Sequence, residues 1–325
     1  MRTNRRQAIA IAASVLAAPA TVRAKVAPMA KIFCPFAAGA TVDMVCRQLA
    51  EQLRGKLADT VIVENRTGAA GLLAIDALVR APADGLTLMV HGGAIQSVFP
   101  HTMRKLPYDP FEDVAPVSTT HQLEYAFAVG PGVPVSVKTL NDFLSWVRLN
   151  PKGGAFATPG SGTPLHFVPM LVSQASKVEL VPVHYRGSAA AMPDLLGGQV
   201  SAISTALSDL VPFLGEGKLR MLATSGPRRN PLTPGAATYA EQGFPDATAV
   251  AYNAVFVHGQ TAPAVQEQIS AMVREALATE AVRTAFSKAY IVPSGSTPAE
   301  TLKAGREGYT RWGGIVKAVG YVPEN

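Results

Sequence analysis

Short apolar runs alternate with helical patterns through glycine-bearing turns, and this alternation constrains the fold more than any other feature of the chain. Residues 31–35 read as a strand and Phe36-Ala37-Ala38-Gly39-Ala40-Thr41 as a turn. After it Val42, Val45, Cys46, Leu49 and Leu53 recur at helical spacing. Residues 60–64 read as a second strand, 71–80 as a second helix and 86–91 as a third strand. A β-α-β-α-β order dictates a parallel sheet covered by helices, because parallel neighbours need a crossover.

The order returns in the middle of the chain. Residues 125–129 predict a strand, and 139–149 a helix with Asp142 in its first turn. Residues 154–158 predict a strand, followed by a glycine loop and a helix over 164–176. Further strands fall at 179–184, 200–205 and 219–224, and 252–258 returns to the first unit. Val265, Ile269, Met272, Val273 and Ala276 mark a long helix, and 298–319 a last one begun by proline. Pro193 interrupts a helical pattern over 188–196, which predicts a start near Met192 or a kink there. The expected architecture is α/β, with two α/β lobes and a cleft between them. Lobe 1 takes residues 25–127 plus 250–325, and lobe 2 takes 128–249.

Residues 1–24 read as a signal peptide rather than fold. Arg2, Arg5 and Arg6 form a basic start, 8–18 is apolar, and Val22-Arg23-Ala24 has the form of a cleavage site. Arg5-Arg6 hints at twin-arginine export. The following Gln7-Ala8-Ile9 departs from that signal and favours the general secretory route. Localisation is therefore expected to be periplasmic. Four of the 29 basic residues leave with the leader and no acidic one does, leaving 25 against 23. The whole-chain charge of +6 thus does not argue for nucleic acid.

Cys34 and Cys46 match no zinc or redox spacing. They are either two small core residues, the favoured reading, or one disulfide formed after export, and geometry decides between them. The six histidines, at 91, 101, 121, 166, 184 and 258, show no metal spacing. No nucleophile motif occurs in a usable setting. No catalytic residue, cofactor or metal is expected.

Two turns could carry binding. Residues 36–43 and Thr158-Pro159-Gly160-Ser161-Gly162-Thr163-Pro164-Leu165-His166 each lead from a strand into a helix. Helix starts bind anions, because the first four amides lack partners and the dipole is positive there. In open α/β sheets ligands sit at these strand ends. Thr41, Ser161 and Thr163 add hydroxyls, and two such ends across a cleft suit a ligand that is a small organic acid. Neither turn has a phosphate-loop pattern. In Val183-His184-Tyr185-Arg186-Gly187-Ser188, Arg186 either pairs with a carboxylate or is a solvated surface residue. Residues 65–71, and His91-Gly92-Gly93-Ala94, read first as plain turns at strand ends. Asp43 is expected to bond loop amides in the first helical turn, and to touch ligand only if the ligand carries an amino group. His166 serves the helix start or the ligand.

These segments occur in order with Lys105-Leu106-Pro107-Tyr108-Asp109-Pro110-Phe111-Glu112-Asp113-Val114-Ala115-Pro116-Val117, Asp194-Leu195-Leu196-Gly197-Gly198-Gln199-Val200 and Gly217-Lys218-Leu219-Arg220. Together they resemble the Bug (Bordetella uptake gene) family, the extracytoplasmic solute-binding receptors of tripartite tricarboxylate transporters. The resemblance covers essentially the whole chain after the leader. It implies a type II periplasmic binding protein, a Venus flytrap whose lobes close on a small carboxylate and present it to membrane permease subunits. The implied ligand-binding set is Phe36, Ala38, Gly39, Thr41, Asp43, Gly92, Gly93, Gly160, Ser161, Gly162, Thr163, His166, Tyr185, Arg186, Gly187, Ser188 and Ser204. A monomer without nucleic-acid partners is implied.

Two departures bear on the ligand. Ala37, Ala38 and Ala40 replace two prolines and a glycine of the family loop, and alanine disfavours φ > 0 at Ala40. Ser204 and Thr205 stand where the family often has an aspartate, which argues for a plain carboxylate over an amino acid. The alternative functions are an orphan ligand sensor for a membrane signalling partner and, further off, a secreted enzyme on the same fold.

Overall fold

The computed structural model describes residues 27–215 and 217–323, so the leader expectation lies outside the described residues. The chain opens with β1 (Ala27–Cys34), α1 (Thr41–Leu53), β2 (Ala58–Asn65), α2 (Leu72–Val79) and β3 (Thr87–Gly92). β1 pairs in parallel with both β2 and β3. α1 turns Val42, Val45, Cys46, Leu49 and Leu53 onto the sheet, the face that its spacing predicts.

Two short helices follow, α3 (Ala94–Ser97) and α4 (Phe99–Thr102). The chain then enters β4 (Val114–Val129), a single strand of 16 residues. The sequence pattern suggests two separate apolar starts here, because residues 118–122 are polar. The structure keeps them in one strand by giving the polar side chains partners. The Ser118 hydroxyl accepts from the Ser296 N–H at 3.1 Å, and Asn253 Nδ2 meets His121 Nε2 at 3.0 Å. At roughly 3.3 Å per residue such a strand is about 50 Å long and can cross both lobes.

The second lobe holds α5 (Leu140–Leu149), β5 (Ala155–Thr158), α6 (Pro164–Ser176), β6 (Val181–His184), α7 (Ser188–Leu196), β7 (Ala202–Ala206), α8 (Leu207–Leu214) and β8 (Arg220–Thr224). The chain returns through β9 (Val250–His258), α9 (Pro263–Ala278), α10 (Glu280–Lys288), β10 (Val292–Pro293) and α11 (Pro298–Ala318). Contrary to expectation, α7 begins at Ser188 and carries Pro193 inside it. The hydrogen bond lost at Pro193 would have ended on Ala189, which is exposed, so the cost falls below that of a buried break.

The strand order is β2-β1-β3-β9-β4-β7-β5-β6, with β8 and β10 also pairing β4. Two apolar clusters cover the faces of the first part, and two those of the second. Phe127, Phe143, Phe156 and Phe167 are fully buried in one second-lobe cluster, each contributing about 2–3 kcal/mol. α11 spans the two parts. Trp312 and Val316 enter that same cluster, while Gly305 and Gly308 lie against Gln96 and Ser97 of α3.

Candidate functional site

The site follows from strand direction. β4 runs from the first lobe into the second, and β9 lies antiparallel to it, starting with Val250 beside Glu124. β3 is antiparallel to β9 and ends with Gly92 beside Asn253, so β1, β2 and β3 all run toward the crossing point. β7 is antiparallel to β4 and ends with Ala206 beside Tyr125. β5 and β6 are parallel to it, so they approach the same point from the other side. The carboxyl ends of six strands therefore converge on the hinge, where open α/β sheets hold their ligands.

The ends of β1, β2, β5 and β6 pass through glycine in the left-handed region into a helix. Gly39 has φ +86°, Gly71 +90°, Gly160 +104° and Gly187 +101°. No atom lies within 4 Å of where a Cβ would stand on Gly39 or Gly187, and only Thr163 Cγ2 approaches that of Gly160. Backbone conformation, not crowding, thus calls for glycine at these three, and the space beside each is open. Ala40 is extended at φ −69°, so the alanine replacement is accommodated and Gly39 takes the turn. The helices that follow, α1, α6 and α7, begin without any side-chain cap. α2, α8 and α9 are likewise uncapped, whereas α5, α10 and α11 begin with Thr139, Thr279 and Thr297, whose hydroxyls accept first-turn amides. Uncapped first turns can keep their N–H groups for another acceptor; in α6, Pro164 has no N–H and His166 N–H bonds the Thr163 carbonyl at 3.0 Å, which leaves that of Leu165.

Some loop amides are already used. Gly39 N–H donates to Asp43 Oδ2 at 2.9 Å, Gly160 N–H to the Thr158 carbonyl at 2.9 Å, and Gly162 N–H to His166 Nδ1 at 3.4 Å. Asp43 is 2% exposed and also accepts from Arg47 Nε at 2.9 Å and Asn65 Nδ2 at 2.8 Å. Burial raises its pKa, but the bonds from Arg47, Gly39 and Asn65 outweigh burial and hold the carboxyl below the usual range. It is a loop brace, and its charge is neutralised by Arg47.

The remaining expected residues divide by position. Phe36 and Ala38 are exposed on the first turn, with Thr41 exposed at the start of α1. The Phe36 ring lies 6.2 Å from that of His91, whose pKa burial lowers to about 4. Gly92, Gly93 and Pro164 line a cavity of about 500 Å³ with Tyr125, Tyr252, Asn253 and Arg311. Phe36, Ser161, Arg186 and Ser204 are not among its walls. Tyr185 turns its hydroxyl to Asp194 Oδ2 at 2.7 Å, while Arg186 is exposed and Ser188 starts α7. Thr163 Oγ1 donates to the Gly160 carbonyl at 3.2 Å. Ser204 is fully buried, and neither its hydroxyl nor that of Thr158 has a protein partner. The pairing of Ala157 with Ile203 places Thr158 and Ser204 side by side at the ends of β5 and β7.

Two contributions were not legible in the sequence. Tyr321, beyond α11, places its hydroxyl 3.3 Å from Ser161 Oγ. Thr102 lies beside Gly162. Thr102 ends α4, and α11's course across the lobes brings Tyr321 here. Cys34 and Cys46 are both buried free thiols. Among the described residues no group of His, Cys, Asp and Glu could hold a metal, and no helix is long and apolar enough to cross a membrane.

A two-lobed α/β protein with facing strand ends at its hinge belongs to the class of periplasmic solute-binding proteins. Residues 45–321 match the model of the tripartite tricarboxylate transporter family receptor, and the chain belongs to that family. It is 29% identical over 313 residues to Protein BugT of Bordetella pertussis, covering 96% of this chain and 95% of that one. Among solved structures, an R. palustris protein with adipate is 25% identical at a TM-score of 0.81, covering 91% of this chain and 99% of that one. MatC from Rhodopseudomonas palustris with bound malate is 26% identical at a TM-score of 0.75, covering 89% and 99%. The family is one of receptors, and the two R. palustris proteins hold small carboxylates.

Proposed function

We propose that the chain is an exported receptor that captures a small carboxylate and hands it to the permease subunits of a tripartite tricarboxylate transporter. The observation that carries this reading is the convergence of uncapped helix starts α1, α6 and α7 on the hinge. Their first-turn amides offer hydrogen bonds to carboxylate oxygens without any buried positive side chain. Thr41, Ser161 and Ser188 add hydroxyls, and Arg186 offers a bidentate partner at the rim. The adipate and malate held by the two R. palustris relatives support the ligand class. Lobes of residues 25–127 plus 250–325 and 128–249, hinged on β4 and β9, close over the acid as a monomer. Residues 1–24 direct export and are removed.

A thermal-shift screen with citrate, succinate, malate, adipate, glutamate and benzoate tests the reading. A ligand at 100 times its Kd stabilises the native state by about 2.7 kcal/mol. A set of melting curves unmoved by every acid overturns it.

A further inference from the structure

We infer that Tyr321 is a positioning residue that fixes the 160–162 turn and ties it to the first lobe. The acid-binding role of that turn rests on the function proposed above, whereas the positioning rests on geometry alone. After α11, Gly320 reverses the chain at φ +67°, and Tyr321 N–H bonds back to the Val316 carbonyl at 3.2 Å. The tyrosine ring then packs edge-on against Phe167 at 5.2 Å and His166 at 5.8 Å, the first turn of α6. Its hydroxyl reaches Ser161 Oγ at 3.3 Å. A Cβ on Gly162 would stand 2.7 Å from that hydroxyl and 3.3 Å from Thr102 Cβ. The second-lobe turn is therefore seated between Tyr321 and α4.

The tail is anchored in turn. Arg104, just after α4, donates from Nε to the Pro323 carbonyl at 3.0 Å. Trp312 and Val316 fix the preceding helix in the second-lobe core. Tyr321 thus stands at a junction of α4, α6 and α11, and its hydroxyl is the part aimed at the turn. Loops that bind ligands are drawn from the less stable parts of a fold, so a dedicated contact of this kind sets how much order the turn has before ligand arrives.

Amide hydrogen exchange of the ligand-free mature protein tests this in the wild type, Tyr321→Phe and Tyr321→Ala. Tyr321→Ala should speed exchange of residues 160–163 by about tenfold, with a smaller rise for Tyr321→Phe, while 171–176 stays unchanged. Unchanged exchange at 160–163 in both variants overturns the inference, as does a uniform rise through α6. Should the alanine variant fail to fold, Tyr321→Phe retains the ring packing and decides the matter. In a second arm, the tightest-binding acid of the screen is titrated. Tyr321→Phe should weaken it about threefold to tenfold at an unchanged melting temperature. Wild-type affinity there removes the link to binding. Absence of any binding in the wild type sinks the proposed function, while the exchange result still decides Tyr321.

Discussion

Asp43 accepts the backbone N–H of Gly39 at 2.9 Å, joining the first turn of α1 to the glycine loop that precedes it. The same carboxylate gathers Arg47 and Asn65. Asp43→Ala should cost about 1–2 kcal/mol in urea unfolding, because three solvent-accessible donors, Gly39 N–H, Arg47 and Asn65, lose one buried acceptor together. Its depressed pKa gives stability that is present above the ordinary aspartate pKa and lost as pH falls through the folded value. Asp43→Asn should flatten that acid limb of the stability curve.

His91 and His121 predict a second pH dependence at higher pH. Burial lowers both to about 4 from an ordinary 6.5. The unfolded chain binds these protons first, so stability is full above pH 6.5 and falls as pH drops toward 4. The loss should be about 2 kcal/mol per histidine at pH 5, read from urea midpoints at pH 7 and pH 5. His91→Gln should remove about half of it.

Gly160 and Gly187 occupy conformations that cost an alanine about 1–2 kcal/mol. Gly160→Ala and Gly187→Ala should lower the melting temperature modestly. If these turns hold the acid, both should also weaken its binding at least about tenfold by calorimetry, through displaced first-turn amides. Ser161→Ala should weaken binding with stability nearly unchanged. Wild-type affinity in all three would move the site elsewhere.

Thr139 and Thr297 close capping boxes with Asp142 and Glu300. Thr139→Ala and Thr297→Ala should each cost about 1 kcal/mol in chemical denaturation. Neither should alter ligand affinity, since neither lies among the hinge-facing helix starts.

Cys34 and Cys46 are buried and unbonded. Hydrogen bonding with Cys46 draws Cys34 down to about 7, and Cys46 is pushed well above its ordinary value. Alkylation with mass detection should label both thiols in denaturant and neither rapidly in the native protein. A single disulfide in freshly unfolded protein would refute this arrangement.

Much of the local structure was legible in the chain. The helical spacing of Val42, Val45, Cys46, Leu49 and Leu53 gave α1 its buried face, and the proline and glycine signals bounded α6 at Pro164–Ser176. The turns at Gly39, Gly160 and Gly187 could be found because a left-handed residue between strand and helix favours glycine. The polar middle of β4 could not, since its pairing depends on β9 far along the sequence. Asp43's role as a brace was readable from its place in the first turn, whereas Tyr185's turn toward Asp194 was not.

Sequence alone determined the alternation of strands and helices, the positions of the glycine turns and the family to which they point, because these depend on neighbours within a few residues. Tertiary structure decided which strand ends face one another at the crossing of β4 and β9, and that Tyr321 comes to rest against Ser161. Both relations join residues more than a hundred positions apart, and the packing of α11 across both lobes brings the Tyr321 hydroxyl within hydrogen-bonding distance of Ser161.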